Sequence, residues 1–77
     1  MERVITLEVV ESDTILVKVI QIIKRKRIII RRFNAETTAK NYRNAFIKIL
    51  VEAELEQCRI MKMQFERLTD VMEATVL

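Results

Sequence analysis

Apolar residues along the chain recur with two different periods, and the switches between them divide it into six segments. From Arg3 to Glu11, Ile5, Leu7 and Val9 alternate with Val4, Thr6 and Glu8, the period-two pattern of a half-buried strand. Ser12, Asp13 and Thr14 then supply three successive helix N-cap residues. Behind them Leu16, Val19, Ile20 and Ile23 stand at i, i+3, i+4 and i+7, which predicts a helix with one apolar face. Val and Ile crowd this helix and lower its intrinsic propensity, so packing must hold it. Lys24, Arg25, Lys26 and Arg27 close it with cations, which complement the helix dipole.

Ile28, Ile29 and Ile30 resume strand chemistry, which continues through Arg31, Arg32 and Phe33. The polar stretch from Asn34 to Asn44 holds Asn34, Asn41 and Asn44, the residues best suited to left-handed turns in a chain without glycine. Within it, residues 35–40 (AETTAK) fit a helical turn or a ragged strand end. Ala45 to Val51 predicts a third strand, with Ile47, Ile49 and Val51 on one face and Phe46, Lys48 and Leu50 on the other. From Glu54 helix propensity rises. Leu55, Cys58, Met61, Phe65 and Leu68 form an apolar stripe, with Glu56, Arg59, Lys62 and Glu66 outside it. Thr69 and Asp70 break the pattern. Val71 to Leu77 closes as a strand in which Met72, Ala74 and Val76 oppose Val71, Glu73 and Thr75.

The element order β-α-β-β-α-β makes two βαβ halves of similar length. It predicts one α+β domain over residues 1–77, a ferredoxin-like βαββαβ sandwich with a four-stranded antiparallel sheet carrying both helices on one face. An all-α alternative would make residues 36–77 one long helix. The β-branched cluster at 47–51 and the terminal Ala-Thr-Val-Leu oppose it.

Composition narrows the chemistry. Of the 77 residues, 51% are hydrophobic, too many for a disordered segment. Charges are interspersed, and no uncharged run approaches the ~18 apolar residues of a membrane span. No His is present, which removes the usual general base, the usual neutral-pH switch and the commonest metal ligand. The single Cys, Cys58, has no internal disulfide partner, and no leader or tag is recognisable. These features predict a soluble, cytoplasmic, non-enzymatic domain without metal or cofactor and without membrane contact. Glycine, proline and tryptophan are absent as well, leaving an alphabet of sixteen residue types. At average usage about five glycines are expected in a chain of this length.

The most conspicuous constellation is basic. Lys18, Lys24, Arg25, Lys26, Arg27, Arg31 and Arg32 lie in a stretch that has no acid between Thr14 and Ala35, although the net charge of the chain is only +3. Such a patch suits phosphates or the acidic surface of a partner. It equally suits a solvated helix end beside an edge strand guarded against aggregation. Nucleic-acid recognition on a sheet of this topology needs exposed aromatics. Phe33, Tyr42 and Phe46 are the only ones outside the helices, and no glycine-containing aromatic strand motif exists. Cys58 falls on an apolar helix stripe, where a small core thiol is expected. Glu52, Glu54 and Glu56 gather at a helix start, where they favour the dipole. The turn Glu11-Ser12-Asp13-Thr14 opens a helix N-terminus, which suits a ligand carboxylate or phosphate, or simple capping.

Three stretches carry a family resemblance. The first is the strand, turn and helix at 6–23 (TLEVVESDTILVKVIQII). The second is 24–33 (KRKRIIIRRF), and the third, the most specific, is 64–74 (QFERLTDVMEA), similar to a "Gln, x, x, Lys, Leu, x, Asp-Val, x, x, Val" ending. Through them the chain resembles, from Ile5 to Val76, the ACT domains, in particular those of regulatory small subunits of acetolactate synthase (acetohydroxyacid synthase). The resemblance implies a domain that pairs side by side into a homodimer with an eight-stranded sheet. It also implies a catalytic large subunit as partner and, in feedback-regulated members, a branched-chain amino acid bound at the dimer interface. Carried over, the effector-contacting turn is Glu11, Ser12, Asp13, Thr14, Ile15 and Leu16, helped by Ile29 of the neighbouring chain.

At both places the chain departs from the family pattern, which has Asn near Glu11, Gly at Thr14 and Asn at Ile29. Glu11 would repel a ligand carboxylate, Thr14 crowds the backbone, and Ile29 offers no hydrogen bond. The resemblance therefore carries activation of a synthase in branched-chain amino-acid biosynthesis further than it carries effector binding. Two other functions fit the residues. One is a polyanion- or nucleic-acid-binding module using 24–32. The other is an engineered or reconstructed scaffold without activity, suggested by the sixteen-letter alphabet. Each predicts a homodimer or larger assembly, since a 77-residue domain gains much by burying one sheet edge or face.

Overall fold

The computed structural model describes residues 1–10, 12, 14–37 and 44–77 of the chain. Six elements follow in the expected order: β1 (Glu2–Val10), α1 (Ile15–Arg25), β2 (Ile29–Thr37), β3 (Asn44–Glu52), α2 (Leu55–Glu66) and β4 (Val71–Val76). The strands form one sheet in the order β2-β3-β1-β4, and every neighbouring pair is antiparallel. β1 and β3 are therefore central, while β2 and β4 are edges. This is the ferredoxin-like βαββαβ sandwich, with both helices on one face.

Alternation decides which face is covered. Ile5, Leu7 and Val9 of β1 stand beside Ile49, Ile47 and Ala45 of β3, and all are buried. Ile15, Val19 and Ile23 of α1 and Cys58, Met61 and Phe65 of α2 close over them, none more than 1% exposed. Among the described residues no charged or polar residue is buried as a whole, although Arg3 Nε and Glu52 Oε2 are buried atoms without a hydrogen-bond partner. Packing holds α1 in place of propensity, as its β-branched composition requires.

Side-chain phase departs from expectation in two elements. Leu16 is 40% exposed, and the buried stripe of α1 runs through Ile15, Val19 and Ile23, with Ile22 packed beside it. Ile15 and Leu16 lie four and three residues before Val19, so either fits the helical period; docking on the sheet selects Ile15. In β4 the register passes from Glu8↔Glu73 to Val9↔Val71, which leaves Met72 without a partner. This β-bulge restarts the alternation. Val71 packs against the core, whereas Met72 is 55% exposed, the reverse of what unbroken alternation predicts.

The turns also differ. Asn34 lies in β2 and Asn44 in β3, and Asn41 is outside the described residues. Among the described residues the left-handed position is Arg27, at φ 57°, just past the end of α1. There the N–H of Arg27 donates to the carbonyl of Lys24 at 3.0 Å, closing the helix in the way a glycine usually does. β2 runs on to Thr37, so residues 35–37 are strand, and 38–40 lie outside the described residues. A second irregularity, between Ile30 and Arg32, leaves Arg31 unpaired in β2.

Candidate functional site

The turn between β1 and α1 is held from the far end of the chain. The backbone N–H of Val10 donates to the carbonyl of Asp70 at 2.7 Å, and Ser12 Oγ donates to Asp70 Oδ2 at 3.2 Å. Asp70 sits in the link from α2 to β4 and so clamps the exit of β1. Sequence periodicity registers Asp70 only as a break in pattern. Its signal is its place in the stretch 64–74, the most specific part of the family resemblance. Thr14 is the N-cap of α1, at φ −114° and ψ −7°, but its side chain makes no capping hydrogen bond. Its carbonyl accepts the first helical bond from Lys18 at 3.0 Å. Ser12, expected as a cap, is directed to Asp70. Glu11 and Asp13 of this turn lie outside the described residues.

The other expected ligand contacts fall at two depths. Thr14 and Leu16 are exposed, whereas Ile15 is 1% exposed and belongs to the core. Ile29 is 56% exposed on edge strand β2. It aligns with Glu52 of β3, which aligns with Glu2 of β1, at the end of the sheet away from the turn. The separation is about 26 Å, the rise of β1 from Glu2 to Val10 at ~3.3 Å per residue. One chain therefore does not bring Ile29 to the turn.

The basic residues form a surface band. Lys24 and Arg25 occupy the last turn of α1, Lys26 caps it and Arg27 follows. Arg31 and Arg32 lie on β2, and all six are exposed. Arg31 meets Glu52 at 3.7 Å, a surface pair worth at most about 1 kcal/mol. Glu52 also receives the N-terminal amino group at 3.9 Å. Of the aromatics weighed for base stacking, Phe33 packs against the core and Phe46 is half-exposed on the uncovered sheet face. Tyr42 is outside the described residues.

Cys58 is fully buried. Burial pushes its thiol up, against a smaller downward pull from Arg3, so it is a packing residue and a poor nucleophile. Glu54 is the N-cap of α2, and its backbone N–H donates to Gln57 Oε1 at 2.8 Å. The Glu52, Glu54, Glu56 cluster thus divides between an ion pair, a helix cap and the first helical turn. Among the described residues no three His, Cys, Asp or Glu side chains converge as metal ligands, and no helix is long and apolar enough to cross a membrane.

No family model matches the chain, and no curated protein matches it in sequence. Solved structures do. The acetolactate synthase small subunit from Thermotoga maritima aligns with a TM-score of 0.84 at 16% identity, over 99% of this chain and 47% of that one. The ACT domain from the GTP pyrophosphokinase of Chlorobium tepidum aligns at 0.81 and 10% identity, over 100% and 97% of the two chains. Formyltetrahydrofolate deformylase from Burkholderia mallei aligns at 0.75 and 15% identity, over 99% of this chain and 27% of that one. The chain thus spans about half of the Thermotoga subunit and about a quarter of the deformylase. At these identities the likeness establishes the fold, which is that of an ACT domain.

Proposed function

We propose that the chain is a non-catalytic regulatory and interaction subunit that stabilises or activates an acetolactate synthase, working as a homodimer beside a catalytic large subunit. The observation that carries this reading is the likeness, over 99% of this chain and 47% of that one, to the Thermotoga maritima small subunit, reinforced by the sequence stretch that contains Asp70. In this reading two β2 edges pair antiparallel across a two-fold axis. That pairing carries Ile29 of one protomer from the far end of the sheet toward the turn of the other, which a single chain cannot do.

The same geometry argues against branched-chain amino-acid feedback. An effector carboxylate would need the backbone amides after Thr14, which the Thr14 side chain crowds, and a polar partner where Ile29 is apolar. Activation needs no such pocket. The test is to mix the chain with an acetolactate synthase large subunit and assay acetolactate formation with and without valine, leucine and isoleucine. A rise in rate or in apparent substrate affinity, insensitive to the amino acids, is expected. An unchanged rate and affinity would remove the reading.

A polyanion-binding function is the second reading, and the exposure of all six basic residues favours it. Titration with RNA and DNA at two salt concentrations separates the two, because phosphate binding weakens steeply with salt. Absence of binding at low salt disposes of it.

A further inference from the structure

The face of the sheet away from the helices is ordered by row across the strands, and the two rows that flank Lys48 differ in charge. One row places Arg32 of β2 beside Leu50 of β3 and Val4 of β1. The next runs Asn34, Lys48, Thr6 and Thr75, and the third runs Glu36, Phe46, Glu8 and Glu73. The third row therefore sets three carboxylates around a phenylalanine that is 49% exposed. Glu8 and Glu73 are direct cross-strand neighbours of like charge, an arrangement that costs stability in an isolated sheet. Asn44 Nδ2 reaches Glu8 Oε2 at 3.4 Å, and the carboxylates do not converge as metal ligands. Beside Lys48 lies a hollow lined by Val4, Arg32, Asn34 and Leu50.

We infer that this face binds a second copy of the same chain, sheet on sheet, about a two-fold axis that runs along the row of Lys48 perpendicular to the strands. Such an axis keeps each strand over its own copy and reverses its direction. The Arg32 row of one copy then lies over the Glu36 row of the other. Arg32 faces Glu36 of the second copy, and Phe46 faces Leu50 and the hollow beside it, each twice. Lys48 lies on the axis over its own copy and Glu8 lies over Val4, so two ion pairs are set against one like-charge contact. An axis parallel to the strands would stack the two glutamate rows on each other, so charge selects the first arrangement. Aligned packing of two twisted sheets about 10 Å apart accommodates it.

The magnitude is modest. Four strands at ~4.8 Å spacing and about eight residues at ~3.3 Å give roughly 500 Å² per copy, or about 1,000 Å² in total. That is the low end for specific interfaces; area does not set affinity, so the test takes a dissociation constant of roughly tens of micromolar as the value to be met. This surface is separate from the β2 edge, so the inference does not depend on the regulatory reading.

Residues 46 and 50 lie on β3, which has a strand on each side, so edge pairing cannot bring them together. The test uses Phe46→Lys and Leu50→Glu, followed by sedimentation velocity, with circular dichroism and thermal melts confirming that both fold. Each variant alone should weaken self-association at least tenfold, because a charge meets an apolar side chain in both halves of the interface. Mixed in equal amounts they should associate to within about threefold of the unmodified chain. In the mixed pair the introduced lysine meets the introduced glutamate, and the remaining Leu50 meets the remaining Phe46. Unaltered association of the single variants would overturn the inference, as would a mixture that fails to recover. A chain that stays monomeric at about 200 μM, well above the expected dissociation constant, would do the same, even if it activates a synthase through this face.

Discussion

Arg27 gives the sharpest test of the backbone. It stands at φ 57° immediately after α1 and is the one positive-φ residue among those described. A side chain with a Cβ in this region costs about 1–2 kcal/mol. Glycine removes that cost but adds freedom to the unfolded chain, worth about 0.4–1 kcal/mol. Comparing Arg27→Gly with Arg27→Ala cancels the loss of charge, since both variants lack the guanidinium. The glycine variant should be the more stable by about 0.5–1 kcal/mol, or roughly 2–8 °C in Tm for a domain of this size. At the preceding residue, Lys26, φ is −84° and the order must reverse. There Lys26→Ala should be more stable than Lys26→Gly by about 0.5–1 kcal/mol. Thermal and urea unfolding of the four variants measures both differences. Arg27→Ala equalling or exceeding Arg27→Gly would refute the left-handed assignment and the account of how a glycine-free chain ends this helix.

Three further outcomes follow from the packing. The bulge in β4 predicts that Met72→Lys changes stability by no more than about 0.5 kcal/mol, whereas Val71→Lys costs about 2 kcal/mol or more; equal costs in urea unfolding would mean unbroken alternation. Asp70→Ala should cost about 1–2 kcal/mol and speed amide exchange at Val10 and in the first turn of α1, while exchange in β3 stays protected. Cys58 has its thiol raised above the ordinary 9.0 by burial. The folded state therefore holds this proton more tightly than the unfolded one, and the contribution is complete below pH 9 and lost as pH rises above it. Unfolding free energies from pH 8 to 10.5 should fall more steeply for the unmodified chain than for Cys58→Ala, and parallel curves would contradict the assignment.

Element type and order follow from the period of the apolar residues. Ile5, Leu7 and Val9 alternate, as do Ile47, Ile49 and Val51, and only one face of each strand can be buried. Cys58, Met61 and Phe65 repeat at helical spacing, so α2 presents them together. Those patterns suffice for the ACT fold, because two βαβ halves with one covered face leave few topologies.

Phase, turn chemistry and clustering were decided by the tertiary structure. Leu16 and Ile15 fit the helical period equally well, and only contact with the sheet buries one of them. Val71 and Met72 exchange faces because β4 must pair with β1 across a bulge, an irregularity that no single strand encodes. The glycine-free alphabet raised the question of where the chain would turn left-handed. Asparagine is the local answer, yet among the described residues Arg27 takes a left-handed position because its amide must close α1 where β2 begins. The turn between β1 and α1 is visible in the sequence as Ser12 and Thr14, but its anchor, Asp70, is brought there from 58 residues away. The rows that set Arg32 apart from Glu36, Glu8 and Glu73 exist only across four strands. Local sequence fixes what each segment buries; register between segments fixes which surfaces remain for a partner.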